Sequence, residues 1–256
     1  MSSQGAGAVH GLEALDLRGS KVADTLAVVN LARGCRNLRS LNLSGTRLHD
    51  EGARELIRGF LHDPATGARS PHRELRVLAL EDSGLTGAVA PELAELALMV
   101  PLEAVLLARN KLGDGGAQAL AAAVLVEDGF GRSRLRRLDL SENQLEAAGL
   151  VALLDALGRN ASLRGLDVGG NERIGGTLLA APQLVQQAVD GLKSAAGLRD
   201  LHLWRCGLSD AACQLVVGAR PLQLSLLNIA MNPLSPELRV RLGRWSEDDL
   251  SATIRL

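Results

Sequence analysis

Leucines recur along this chain in a fixed grammar, L-x-x-L-x-L-x-x-N-x-L, whose copies begin at Leu12, Leu38, Leu75, Leu102, Leu135, Leu163, Leu198 and Leu224. Successive starts are 26, 37, 27, 33, 28, 35 and 26 residues apart, room for a short strand, a turn, a helix and a loop. The L-x-L alternation turns every second side chain to one side, as in a strand. Between copies the apolar period changes to that of a helix. Val28, Leu31, Ala32, Cys35 form one such set, followed by Ala53, Leu56, Ile57, Phe60 and by Leu93, Leu96, Ala97, Val100. Ala117, Leu120, Ala121, Val124 and Leu150, Leu153, Leu154, Leu157 continue it, as do Val185, Ala188, Val189, Leu192 and Ala212, Leu215, Val216, Ala219. Each set is spaced i, i+3, i+4, i+7, one stripe of an amphipathic helix. Strand and helix alternating eight times predict an α/β solenoid, a horseshoe with parallel strands on the concave side and helices on the convex side.

Local signals agree with that register. Asp24, Asp50, Asp114 and Asp210 each fall two residues after the last consensus aliphatic position of their copies, where a helix N-cap is expected. Pro91 is placed like a first-turn proline. The ninth motif position holds Ser20, Thr46, Ser83, Asn110, Asn143, Asn171, Cys206 and Asn232. In a stack of turns this side chain faces inward, so a structural ladder to neighbouring backbone is expected of it. The predicted layout is a flexible segment over 1–11, eight repeats over 12–234 and a C-terminal cap over 235–256. The cap reading rests on Leu238, Val240, Leu242, Trp245, Leu250, Ile254 and Leu256. Ahead of the first copy there is too little chain for a capping helix, so the N-terminal layer is expected to be bare or covered by a neighbouring protein.

Composition narrows the function. Aromatics make up 2% of residues, so the core must be aliphatic, as repeated layers of leucine allow. Basic residues number 28 and acidic ones 29, which gives no global field to attract nucleic acid or anionic lipid. Cys35, Cys206 and Cys213 suit a reducing, cytoplasmic compartment better than a disulfide framework. The start of the chain lacks the pattern of a signal peptide, and no apolar run is long enough to span a bilayer. Asn160-Ala161-Ser162 matches a glycosylation sequon, a pattern that short sequences produce by chance. No P-loop, HExxH, GxSxG or GxGxxG motif is present, and the five histidines are dispersed. These readings predict a non-catalytic protein with no cofactor, metal, small-molecule substrate, nucleic acid or membrane partner.

The text LRRLDLSENQLEAAGLVALLDAL and LEAVLLARNKLGDGGAQALAAAV resembles the ribonuclease-inhibitor-like subfamily of leucine-rich repeats, over about Leu12 to Leu234. That subfamily includes ribonuclease inhibitor, Ran GTPase-activating protein, the sensor ends of immune receptors, and subunits of flagellar and cytoskeletal assemblies. The resemblance implies a module or assembly subunit that binds a partner protein through its concave face and exposed loops. GTPase activation, or the repeat part of an immune or effector protein, is the alternative. Three cysteines are fewer than ribonuclease inhibitor carries. The alignment places Asp16, Asn42, Ala79, Leu106, Asp139, Asp167, His202 and Asn228 in the central concave row. Arg18, Ser44, Glu81, Ala108, Ser141, Gly169, Trp204 and Ala230 form the next. Two candidate partner-binding patches emerge: acidic Asp139, Glu142 and Asp167, and, toward the C-terminal end, His202, Trp204, Arg205 and Met231. Two intervals are long: Phe60 to Glu74, with Pro64, Gly67 and Pro71, is expected to protrude as a loop, and Asn171 to Gly197 carries Gly175, Gly176 and Pro182 ahead of a helix, insertions that solenoids tolerate.

Overall fold

The computed structural model describes residues 11–20, 25–62, 66–69, 72–124, 133–248 and 253–256. Its strands are β1 (Ala14–Asp16), β2 (Ser40–Asn42), β3 (Val77–Ala79), β4 (Ala104–Leu106), β5 (Arg137–Asp139), β6 (Gly165–Asp167), β7 (Asp200–His202), β8 (Leu226–Asn228) and β9 (Thr253–Arg255). They form one sheet in sequence order, every neighbouring pair parallel. The register joins Asp16, Asn42, Ala79, Leu106, Asp139, Asp167, His202 and Asn228 in a single row, as the leucine alignment requires, and continues it to Arg255. The helices are α1 (Thr25–Gly34), α2 (His49–Leu61), α3 (Ala90–Met99), α4 (Gly113–Val124), α5 (Ala147–Leu157), α6 (Ile174–Leu179), α7 (Pro182–Ser194), α8 (Asp210–Ala219) and α9 (Pro236–Asp248). The protein is an α/β leucine-rich repeat solenoid.

The inward strand residues Leu41, Leu78, Leu138, Leu166, Leu201 and Leu227 are all buried, against helix stripes such as Leu93, Leu96 and Ala97 of α3 and Leu150, Leu153 and Leu154 of α5. Pro91 sits in the first turn of α3. Two stripe positions differ from expectation. Leu31 is exposed on α1, the outermost helix, which has a helix beside it on one side only. Leu215 is exposed at the mouth of an apolar cleft between α7 and α8, which pack less closely than α5 and α7, and Cys213 takes the buried place. The side chain of Val124 lies outside the described residues.

The ninth-position ladder forms as anticipated at its asparagines, whereas Ser20 is exposed and Thr46 Oγ1 donates within its own repeat, to Leu43 O. Asn110, Asn143, Asn171 and Asn232 are buried, and each accepts from backbone N–H of the preceding repeat. Their amide groups donate to Leu80 O, Leu107 O, Leu140 O and Leu203 O, so backbone that a short strand cannot satisfy is satisfied sideways.

The aspartates behave differently from caps. Asp24 lies outside the described residues, and Asp50, Asp114 and Asp210 sit in the first turns of α2, α4 and α8. Each bonds forward to the next repeat. Asp50 accepts from Thr86 N at 2.8 Å, Asp114 from Glu146 N at 2.7 Å, and Asp210 from Ser235 N at 2.9 Å. The position is anionic because it pins the entry of the following helix. Those contacts, with favourable placement at the helix N-terminus, account for the residue choice. The carboxyl of Asp210 is accordingly held below its ordinary range, first by the Ser235 hydroxyl and then by the Ser235 N–H.

The C-terminal segment adds a helix and a ninth strand. Ile254 closes the core, while Val240 is exposed. The Trp245 side chain and Leu250 lie outside the described residues. At the other end β1 is the edge strand, with Leu12, Leu15 and Leu17 only partly buried; residues 1–10, including nearly all of the expected flexible segment, are outside the described residues. Part of the first long interval, 63–65 and 70–71, lies outside the described residues. In the first, Phe60 is fully buried against the His72 ring at 5.4 Å. The second folds into α6 and α7. Asn160 of the sequon is buried, and its side-chain oxygen accepts from Ser162 N and Leu163 N, a turn-forming role.

Candidate functional site

The concave surface is set by how closely parallel strands approach, about 4.8 Å. Small outward side chains are covered by their neighbours, and Ala79, Ala108, Ser44 and Ser141 are all buried. Asp139, expected to face a partner, is also enclosed at 9% exposure, and Ser141 N and Oγ bond its carboxylate at 3.0 and 2.7 Å. Its role is to hold the strand-to-turn transition. Glu142 is exposed and Asp167 half-buried, so the acidic patch is narrower than the sequence suggested.

The second patch is brought together. His202 Nδ1 stands 3.9 Å from Asp167 Oδ2 on the adjoining strand and 3.4 Å from Asn228 Nδ2 on the other side. Burial raises the carboxyl of Asp167 above its ordinary value. Gly169 N–H opposes that rise, Asp139 adds to it, and His202 and the nearby indole of Trp204 lower it again. The indole lies across Gly169 and Gly170. A Cβ at 169 would overlap its pyrrole edge, and one at 170 would stand 3.0 Å from Cη2. Trp204 is thus half-buried by glycine on one side and open on the other. Met231 is 66% exposed, and Arg205 pairs with Glu172 at 2.7 Å.

Glu142, Arg205 and Met231 share a structural position. All three occupy the eighth place of the motif, where the chain leaves the strand with φ of 53°, 50° and 61°. Gly19, Gly45 and Gly170 fill that place in other copies with φ of 67°, 71° and 71°. A left-handed backbone is costly for a side chain, of order 1 kcal/mol or more, and cheap for glycine. Large residues at these three positions therefore stand on the turn border against a conformational preference. Glu172 and the Gly169-Gly170 doublet were not singled out from sequence. The doublet, adjacent glycines where other copies carry Ser-Glu, Trp-Arg or Ala-Met, was the available signal. Among the described residues no group of three or more His, Cys, Asp or Glu side chains gathers in a way that could hold a metal.

This geometry defines a leucine-rich repeat surface of strands and left-handed turns, and comparison with known proteins agrees. The family model described as leucine-rich repeat matches residues 34–56, 101–121 and 134–154. Ribonuclease inhibitor of Mus musculus is 31% identical over 78% of this chain, and that of Sus scrofa is 30% identical over 80%. NACHT, LRR and PYD domains-containing protein 5 of Bos taurus is 31% identical over 78%. The chain is a leucine-rich repeat protein of the ribonuclease-inhibitor-like type. It spans 41% and 42% of the two inhibitors and 17% of the bovine protein. Among solved structures, a chain of the yeast Rad7–Elc1 complex superposes with a TM-score of 0.59 at 14% identity, covering 96% of this chain and 55% of that one, which speaks to the fold.

Proposed function

We propose that this chain is a protein-binding module that grips a partner through its concave sheet and the adjoining turns. His202, Trp204, Arg205 and Met231 are the primary contacts, flanked by Asp167 and Glu142. The single observation that carries this reading is the Trp204 indole, supported from beneath by Gly169 and Gly170 and open above. Tryptophan, with arginine, is over-represented among the residues that dominate interface energetics. A rigid sheet also holds such a ring without further ordering cost on binding. The relatives named ribonuclease inhibitor are, by that name, proteins that act on another protein. None of the relatives named above is a GTPase-activating protein, and that alternative is not carried forward. A reducing compartment suits the three free, buried cysteines, since burial pushes the thiols of Cys206 and Cys213 up to about 12.

The test is affinity capture with the wild-type chain, identification of the captured protein, and titration with Trp204→Ala. The expected loss is about 2 kcal/mol or more of binding energy. Unchanged affinity in a folded variant overturns the concave-face assignment.

A further inference from the structure

The opposite border of the sheet carries charge that the reading above does not use. One residue ahead of the strands, a row is fixed by backbone rungs. Arg76 N donates to Arg39 O, Glu103 N to Arg76 O, Arg136 N to Glu103 O, Arg164 N to Arg136 O, and Arg199 N to Arg164 O, all at 2.7–2.8 Å. The same rungs continue to Glu13 at one end and Ser225 at the other, so five of the eight positions are arginine, and Arg137 on β5 stands beside them. Overall charge is nearly balanced, so the row is a local concentration. Like charges on neighbouring rungs destabilise a sheet.

Folding accounts for three of these arginines. Arg76 lies between Glu74 and Glu103 at 3.7 and 3.8 Å. Arg164 Nη1 donates to Gly197 O and Arg199 Nη1 to Gln223 O, both at 3.0 Å, clamping the turn of the following repeat. Arg39, Arg136 and Arg137 are exposed, and among the described residues their side chains make no hydrogen bond or ion pair.

We infer that this border is a second interaction surface, which takes an acidic, Asp/Glu-rich extended segment of a partner protein. Guanidinium forks match carboxylates in bidentate geometry, and weak hydration lets arginine pair at an interface. The fold already seats carboxylates there, since Arg76 is flanked by Glu74 and Glu103. A nucleic acid fits less well, because no row residue is an aromatic on which a base could stack.

The probe is a fluorescein-labelled decaglutamate peptide, titrated with the full chain at low salt and followed by anisotropy. Arg39→Glu/Arg136→Glu/Arg137→Glu is compared with Arg47→Glu/Arg109→Glu/Lys111→Glu, which makes the same charge change on the opposite border. The first variant is expected to lose about tenfold or more in affinity and the second about twofold or less. Arg39→Gln/Arg136→Gln/Arg137→Gln should give an intermediate loss, which keeps the test decisive if the reversed variant misfolds. Trp204→Ala should bind the peptide as the wild type does, which separates this surface from the concave one. Equal losses in the two reversed variants, no peptide binding, or tighter binding of a labelled ten-nucleotide oligo-dT overturns the inference.

Discussion

Asn171→Ala removes a fully engaged rung of the inner ladder. The side chain is 1% exposed; its oxygen accepts from Asn143 N at 2.8 Å and Leu145 N at 3.0 Å, and its amide donates to Leu140 O at 3.1 Å and Val168 O at 2.7 Å. Alanine leaves two buried N–H groups without an acceptor and no space that water enters freely. Each stranded donor costs about 1–3 kcal/mol, so the expected loss is about 2–6 kcal/mol. The carbonyls matter less, because carbonyls tolerate under-satisfaction better than N–H groups do. Cys206→Ala is the internal comparison at the same motif position. Its thiol donates to Val168 O at 3.4 Å and Trp204 O at 3.6 Å, weak bonds whose loss should cost about 1 kcal/mol. Urea unfolding with both midpoint and slope is the assay, since a reduced slope would show that the array opens in parts. If Asn171→Ala costs no more than Cys206→Ala, the ladder is not what satisfies the backbone and the argument fails.

Leu140→Ala should destabilise by about 2–5 kcal/mol in the same assay, because a fully buried central leucine leaves a cavity between layers. A loss under about 0.5 kcal/mol, the range of surface changes, would refute its core role. Asp167→Asn should stabilise the protein at neutral pH. Burial raises the folded carboxyl above its unfolded value, so the native state favours the proton and stability falls as pH rises from about 4 through the raised value. Asparagine keeps the acceptor for Gly169 N without the charge, and a wild type whose melting temperature does not fall across that window relative to the variant contradicts the assignment. Hydrogen exchange on the isolated chain should show β1 less protected than β4 and β5, since Leu15 is packed from one side; equal protection would count against an open edge.

The fold was legible because every layer repeats the same physical problem. The eight leucine registers, the Asn ladder and most helix stripes follow from periodicity alone, and the strand rows lie where the alignment puts them. What periodicity cannot carry is the relation between layers. The aspartates at the helix starts look like caps within one repeat, yet their partners Thr86, Glu146 and Ser235 belong to the next, 36, 32 and 25 residues away. Asp139 has the outward parity of an exposed residue, and only the narrow strand spacing and the Ser141 hydroxyl enclose it. Leu31 and Leu215 have the right spacing for the core, but spacing does not record whether a neighbouring helix packs closely enough to cover them.

The same layer-to-layer logic bears on Trp204. Its outward position comes from its own repeat, but its orientation comes from the preceding one, where Gly169 and Gly170 leave the floor on which the indole rests. The ring therefore shields the backbone of one turn while staying only half-buried itself. Loss of the ring must then cost stability as well as affinity, because two glycines and a carboxylate are uncovered together. The two costs part company along the row. Met231 and Arg205 stand on left-handed turns that glycine would occupy with less strain, so replacing either with glycine relieves the backbone while removing part of the surface proposed for the partner.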